Sequence, residues 1–281
     1  MMRLSKVKGI AAWALFGAMA VLGVFGSAGC SARDTEQVEP GLMIHAAASL
    51  EDVIRALGDT FERETGIALN YNFGGSSSIA QQIVKGGARG IYISADEAWA
   101  NYVAEGTEAG WVTQDALFGN TLSVVVSAGS EIVPVDNAAA LATLPAQFWV
   151  LADPLSVPAG RYARDWMESV HLGGSETLWD AVSPKVAPAV NVRAAVAQIR
   201  RVPESIGVIY GSDLSVFRDT LIEVYRPSPE HISDIQYHAV CLAESEGALE
   251  LYQGFLNHLH SEDAQRVLES YGFVPKPDMR H

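Results

Sequence analysis

Serine and glycine residues occur at two places in the sequence where a predicted strand ends and a predicted helix begins. Ser49 follows three alanines and directly precedes apolar residues at helical spacing. Residues 74–78 (GGSSS) also stand before a helical pattern. Backbone N–H groups at a helix N-terminus have no partner within the helix, and the helix dipole favours negative charge there. The chemistry that these residues can do is the binding of an anion by neutral donors.

Both segments also have a purely structural interpretation. Ser49 with Asp52 three residues later approximates a capping box, in which the serine only caps its helix. Residues 74–78 could be a flexible turn, and they lack the lysine of a phosphate-binding P-loop. Neither segment, taken alone, shows whether its role is structural, as a helix cap or turn, or the binding of a ligand.

Two later segments have the same character. In residues 153–160 (DPLSVPAG) the prolines stiffen the approach to a helix, and Gly160 leaves a backbone amide uncovered. In residues 188–193 (PAVNVR), Asn191 is a good N-cap. A strand pattern at 206–210 ends on the hydroxyl of Tyr210. A structural turn and half-buried packing of the tyrosine are the alternatives here.

Strand-like and helix-like segments alternate along the chain, which predicts an α/β protein with parallel sheets covered by helices. We predict strands at 43–48, 67–73, 91–94, 122–128, 148–152, 206–210, 221–225 and 236–242. Helical spacing is found at 50–61, 79–84, 97–105, 162–170, 192–199, 249–259 and 264–271. With 281 residues, two lobes are expected. Ligands of such sheets bind beyond the carboxyl ends of the strands, where the four segments fall.

The N-terminus has the features of a secretory signal: three basic residues, an apolar stretch at 10–25, and small residues before Cys30. We predict a lipoprotein-type signal peptide at 1–29, lipidation of Cys30 and a tether at 30–41, although Ser27 departs from the usual leucine of a lipobox. The alternative is that residues 10–28 remain as a membrane anchor. Both predict that the body of the protein is extracytoplasmic, in the periplasm or on the outer face of the membrane.

Charge and cysteine content exclude several classes of function. The net charge of −14 becomes −17 without residues 1–29, which hold three basic and no acidic side chains. Such a surface repels nucleic acid. It also repels anions at long range, so an anion site would have to bind its ligand through nearby hydrogen-bond donors. Cys30 and Cys241 are the two cysteines, so neither a disulfide framework nor a cysteine metal cluster is expected. Cys241 lies in an apolar run and is predicted to be a buried, inert thiol.

Taken in order, these segments resemble the periplasmic molybdate-binding proteins of bacterial ABC importers over residues 43–274. The resembling segments are residues 46–50 (AAASL), 73–77 (FGGSS), 93–96 (ISAD), 157–160 (VPAG), 191–195 (NVRAA), 207–213 (GVIYGSD) and 271–273 (YGF). The resemblance implies a two-lobed periplasmic-binding-protein fold of type II, each lobe a mostly parallel sheet flanked by helices, with the ligand cleft between the lobes. We expect residues 42–122 with 235–281 in lobe 1, residues 123–234 in lobe 2, and hinges near 122–128 and 223–233.

The resemblance also implies a site. Ser49, Ser76 and Tyr210 would donate their hydroxyls, and Ala159 and Val192 their backbone N–H groups, to molybdate or tungstate. A site that contains only hydrogen-bond donors would reject an oxyanion that carries a proton, because the O–H of the ligand would then face a donor of the protein. No catalytic residue, cofactor or metal cation is expected, since molybdenum would be bound as its oxyanion. The expected partner is a membrane permease of the ABC type, the protein itself being a monomer.

Several alternatives remain open at this point. The ligand could be another tetrahedral oxyanion such as sulfate. A serine hydrolase would need a nucleophile elbow, but residues 74–78 lack its final glycine. His258 and His260 could suggest a cation site, although residues two apart on a helix point in different directions. His45, before the alanines, is predicted to be a buried neutral imidazole rather than a ligand group.

Overall fold

Strands and helices alternate along the chain from Leu42 onward. A computed structural model describes residues 41–109 and 111–275. The predicted signal peptide, Cys30 and all of the tether except Gly41 lie outside these residues. Within the described ranges, no helix combines the length and the apolar composition needed to cross a membrane.

Six strands form one sheet. In chain order its strands and nearby helices are β1 (Leu42–Ala47), α1 (Glu51–Thr65), β2 (Leu69–Gly74), α2 (Ser76–Gly86), β3 (Gly90–Ser94), α3 (Glu97–Gly106), β4 (Trp111–Gly119), β12 (Gln236–Ala243), α8 (Glu246–His260), α9 (Glu262–Ser270) and β13 (Val274–Pro275). The strand order is β13-β4-β12-β3-β1-β2. Helix α1 buries one apolar face and ends at Gly66, whose φ of 74° is the left-handed conformation that favours glycine.

Five strands form the second sheet. Its elements are β5 (Leu122–Ser127), β6 (Phe148–Ala152), α4 (Pro158–Ser169), α5 (Leu178–Val182), β9 (Val186–Ala189), α6 (Val192–Ile199), β10 (Ser205–Tyr210), α7 (Gly211–Phe217) and β11 (Leu221–Tyr225). The strand order is β11-β5-β10-β6-β9. A small hairpin, β7 (His171–Gly173) and β8 (Glu176–Thr177), stands apart, and short 3₁₀ turns cover Ala48–Leu50, Ala138–Thr143, Ser183–Lys185 and Pro229–His231. The predicted α/β class, with two sheets flanked by helices, is confirmed.

The sheets are mixed, so the prediction of mostly parallel sheets was wrong in this detail. β1 pairs in parallel with β2 and β3, and β6 pairs in parallel with β9 and β10. The remaining pairings in both sheets, around β4, β12, β5 and β11, are antiparallel. The chain leaves the first sheet from β4 into β5 and returns from β11 into β12. A returning strand that lies beside the outgoing one must run in the opposite direction, which explains the antiparallel pairs.

All eight predicted strands agree with the structure to within two residues at either end. β6 and β11 begin and end at the predicted residues. α2 and α4 begin earlier than predicted, at Ser76 and Pro158, because their first turns contain the small and polar residues that apolar periodicity does not register. The buried, free thiol of Cys241 is also confirmed, and burial raises its pKa to about 11.

Candidate functional site

A small cavity lies where strands of both sheets reach their carboxyl ends. Its empty space, open solvent included, is about 210 Å³. It is lined by Ala47, Ala48, Ser49, Gly74, Gly75, Ser76 and Ala95 from the side of the six-stranded sheet, and by Val157, Pro158, Ala159, Asn191, Val192 and Tyr210 from the other side. No lining residue carries a charge, so a ligand here would meet only neutral groups.

All five residues predicted for the site line this cavity. They come from five different strand ends, so the fold brings together positions that are up to 161 residues apart in the chain. The structure thus supplies the geometry for the site. Their role as ligand donors stays a prediction.

Ser49 does not cap a helix, so the capping-box interpretation was wrong. The turn Ala48–Leu50 begins after Ala47 and has no side-chain cap. The Ser49 hydroxyl instead forms a hydrogen bond of 2.7 Å with the hydroxyl of Tyr237 on β12, and both residues are buried. The sequence offered no local signal for this contact, because Tyr237 is 188 residues away.

Ser76 is the first residue of α2, and 2% of it is exposed. Its hydroxyl oxygen accepts the backbone N–H of Ala95 at 3.1 Å, a bond that does not use the hydroxyl hydrogen. The hydroxyl of Tyr92 donates to the Ser76 carbonyl at 2.8 Å and so helps to hold the first turn of α2 in place. Ser76 is therefore held as a donor at a helix N-terminus.

Ala159 and Val192 offer backbone N–H groups. Ala159 is the second residue of α4 and Val192 the first of α6, so neither N–H can bond within its own helix. Pro158 has no N–H to compete. The predicted cap by Asn191 is confirmed, since its side chain accepts the N–H of Ala194 at 2.9 Å and leaves that of Val192 unused. Both helices direct the positive ends of their dipoles towards the cavity.

Tyr210 ends β10 and is 1% exposed. Its hydroxyl has no hydrogen-bond partner among the described residues. Burial, assisted by the nearby Tyr237, raises its pKa well above the usual value, so the phenol stays protonated. A buried hydroxyl without a partner costs about 1–3 kcal/mol. Such a group at the wall of a cavity is available to donate to an acceptor placed in the cavity.

Charged residues next to the cavity wall form ion pairs with one another. The Arg193 guanidinium contacts Asp213 at 2.6 Å, Asp52 at 2.6 Å and the Ser49 carbonyl at 3.3 Å. Burial alone would lower the pKa of Arg193, but Asp213 and Asp52 outweigh it and raise that pKa. On the other side of the cavity, Arg161 forms an ion pair with Asp96. The Arg193–Asp52 and Arg161–Asp96 pairs join the two sides of the cavity wall, and local sequence patterns did not predict either pair.

A larger, open cleft adjoins the cavity near Asp96. Its empty space is about 1320 Å³, open solvent included, and its lining includes Asp165, Asp234, Arg161 and Arg164. Four carboxylates against two guanidinium groups give this cleft a negative balance. An oxyanion would be repelled there, so the small neutral cavity is the better candidate for an anion site.

The other candidate chemistries find no matching arrangement in the described residues. The wall around Ser76 contains no histidine or carboxylate that would activate a nucleophile. Within ranges 41–109 and 111–275, no three His, Cys, Asp or Glu side chains converge in the manner of a metal site. His258 donates from Nε2 to the Leu57 carbonyl at 3.1 Å. His45 is buried with its pKa lowered by burial, which confirms the predicted neutral imidazole.

This chain is similar to several known proteins, three of which are informative here. The molybdate-binding protein ModA of Escherichia coli K12 is 30% identical over 241 residues, which is 85% of this chain and 90% of that protein. The periplasmic molybdate-binding protein of Azotobacter vinelandii has a TM-score of 0.68 at 18% identity, covering 84% of this chain and 99% of that one. The sulfate-binding protein SubI of Mycobacterium tuberculosis H37Rv has a TM-score of 0.70 at 16% identity, covering 85% and 88%. The last two similarities concern the fold.

The fold of these neighbours is the two-lobed fold of periplasmic solute-binding proteins, which confirms the predicted architecture. Residues 42–274 match the family described as bacterial extracellular solute-binding protein. That match spans both sheets and every strand end that lines the cavity. This chain belongs to the bacterial extracellular solute-binding protein family.

Proposed function

We propose that this chain captures molybdate outside the cytoplasm and delivers it to an ABC importer. The observation that carries the proposal is the cavity wall, in which neutral donors from both sheets surround a space without a formal charge. Hydrogen bonds from neutral donors to an ionised acceptor are shorter and stronger than neutral ones. The relative named as a molybdate-binding protein covers the whole site, at 30% identity.

In this proposal Ser49, Ser76 and Tyr210 donate hydroxyl hydrogens, and Ala159 and Val192 donate backbone N–H groups. The ligand is bound and released unchanged, without catalysis or a cofactor. Tungstate, which has the same shape and charge, would bind as well.

Residues 42–122 with 235–281 would form one lobe and residues 123–234 the other. Hinges were expected near 122–128 and 223–233, but residues 122–127 and 221–225 belong to β5 and β11. The chain crosses between the sheets at residues 120–121 and 226–235, which we propose as the hinges.

Sulfate is the second candidate ligand, because the sulfate-binding protein SubI has the same fold. Calorimetry and thermal melting with molybdate, tungstate, sulfate and phosphate decide between them. We expect molybdate and tungstate to bind most tightly, and a ligand at 100 times its dissociation constant to stabilise the fold by about 2.7 kcal/mol. A stronger effect of sulfate would assign the site to sulfate. The absence of heat and of a melting shift with all four ions would refute the proposal.

Cys30 would carry the lipid anchor in this proposal, and the protein would act as a monomer. Substitution of Cys30 by serine should move the protein from the membrane fraction to the soluble extracytoplasmic fraction. Retention at the membrane would favour the alternative anchor at residues 10–28. Light scattering of the purified protein tests the monomer.

A further inference from the structure

We propose that Tyr237 and Asn120, neither of which lines the cavity, fix the direction of the Ser49 hydroxyl and so help the site to reject oxyanions that carry a proton. This inference rests on the proposed function, because it requires an oxyanion in the cavity. It concerns two positioning residues rather than ligand donors. Five hydrogen bonds carry the argument, and the backbone N–H groups at one end of the chain of bonds fix the direction of the rest.

The orientation of the Asn120 amide is fixed by backbone groups. Its side-chain oxygen accepts the N–H of Thr121 at 2.8 Å and that of Ser212 at 3.3 Å. A backbone N–H can only donate, so the atom that faces these groups must be the amide oxygen. The amide nitrogen therefore faces the other way, towards the hydroxyls of Ser212 at 2.8 Å and Tyr237 at 3.1 Å.

The direction of the next bond follows from the first. The hydroxyl of Tyr237 receives a hydrogen from Asn120, so its own hydrogen needs a different acceptor. The other hydrogen-bond partner of this hydroxyl in the described residues is Ser49, at 2.7 Å. Tyr237 is fully buried, and its ring packs against Phe118 and Phe273, so the hydroxyl cannot turn to water. Tyr237 thus donates to Ser49.

Ser49 is left with one hydrogen and no acceptor for it among these partners. Its oxygen is already engaged by Tyr237, and the residue lines the cavity. The remaining hydrogen is then available to a ligand oxygen in the cavity that Ser49 lines, which makes Ser49 a donor there. An oxyanion that presents its own O–H to Ser49 would leave two donors facing each other. Buried mismatches of this kind are strongly disfavoured.

Removal of the Tyr237 hydroxyl would release this constraint. In a Tyr237→Phe variant nothing fixes the rotation of the Ser49 hydroxyl, so it can turn and accept from a ligand O–H. The ring and its aromatic contacts would remain. The variant should therefore lose both affinity for a fully deprotonated ion and discrimination against a protonated one.

The test compares three ions by competition calorimetry at pH 7. Molybdate and sulfate carry no proton at this pH, and phosphate carries at least one. For Tyr237→Phe we expect molybdate affinity to fall about three- to tenfold, the effect of one hydrogen bond of ordinary strength. The molybdate-to-phosphate affinity ratio should narrow by at least about threefold, while the molybdate-to-sulfate ratio stays constant. Asn120→Ala should shift both quantities in the same direction by a smaller factor.

Tyr71→Phe is the matched control, because its hydroxyl has no hydrogen-bond partner in the described residues and it does not line the cavity. It should change neither ratio. Equal weakening of all three ions in Tyr237→Phe would show a merely structural role and overturn the inference. Unchanged affinities in both Tyr237→Phe and Asn120→Ala would also overturn it. If the unaltered protein binds no oxyanion, the proposed function fails first, and the inference fails with it.

Discussion

Arg193 at the start of α6 contacts the carboxylate of Asp52 in the first turn of α1, with 2.6 Å between nitrogen and oxygen. The two residues belong to helices on different sheets, and Arg193 also contacts the carbonyl of Ser49 at 3.3 Å. The ion pair therefore joins the two sides of the cavity directly beside a predicted ligand donor. The pair can form only while the two sides of the cavity are in contact. It should therefore stabilise the closed arrangement of the two lobes, which a bound ligand also stabilises.

Asp52→Asn should therefore weaken molybdate binding without removing any group that touches the ligand. Asp52 is partly exposed, and pairs of this kind contribute about 0.2–1 kcal/mol, so we expect a loss of about two- to fivefold, measured by calorimetry. Glu51→Gln is the matched control, because Glu51 pairs with Arg55 within the same helix. Equal affinities of the two variants would show that the Arg193–Asp52 pair does not assist closure.

Ser49→Ala and Ser76→Ala should each cost about 1.5–3 kcal/mol of molybdate binding, the range for a hydrogen bond to a charged group. Ser78→Ala is the control, since Ser78 belongs to the same helix as Ser76 but is exposed and does not line the cavity. Calorimetry measures all three variants. If both site variants bind molybdate as tightly as Ser78→Ala does, the oxyanion binds elsewhere.

Local signals together with the family resemblance predicted the donor positions, but they did not predict the residues that hold these positions in place. Ser49, Ser76 and Val192 stand at strand-to-helix junctions, where a change of periodicity and a helix N-terminus mark the position. Tyr237, Asn120 and Arg193 act through contacts between residues 92 to 188 positions apart. No periodicity encodes such contacts, because they depend on which strands become neighbours. The order of β12 beside β3 and β4 had to come from the structure.

Antiparallel pairing was missed for a similar reason. The strand patterns at β5 and β12 are apolar runs that fit a parallel or an antiparallel neighbour equally well. The two crossings between the sheets decide the direction, and they follow from the global path of the chain. Ser49 shows the opposite error, because its sequence fits a helix cap while Tyr237 holds its hydroxyl.

Tyr210→Phe should change stability and affinity in opposite directions. The Tyr210 hydroxyl is buried without a partner, so its removal should raise the free energy of unfolding of the ligand-free protein by about 1 kcal/mol or more. The same change removes a ligand donor and should weaken molybdate binding. Denaturant unfolding and calorimetry measure the two effects.

Tyr92→Phe provides the contrast for this prediction. Tyr92 is equally buried, but its hydroxyl donates to the Ser76 carbonyl at 2.8 Å, so its removal should lower stability. If Tyr210→Phe destabilises the free protein as Tyr92→Phe does, the Tyr210 hydroxyl must have a protein partner, and its assignment as a ligand donor loses its main support.

Asp213 should make stability depend on pH in the acidic range. Burial raises its pKa from 3.8 to about 6, although Arg193 opposes the shift. Because the folded state holds this proton more tightly than the unfolded state, the contribution of Asp213 to stability is complete below pH 3.8 and is lost as the pH rises towards 6. Asp213→Asn removes the titration while it keeps the size of the side chain.

The measurement is the free energy of unfolding of both proteins between pH 4 and 7, from denaturant titrations. The free energy of unfolding of the unaltered protein minus that of Asp213→Asn should decrease steadily as the pH rises to about 6. Above that pH the difference should stay constant. A difference that grows with pH would mean that the ion pair with Arg193 outweighs burial, because Asp213 would then be ionised more readily in the folded protein. The sign of the slope thus decides which of the two effects controls this carboxylate.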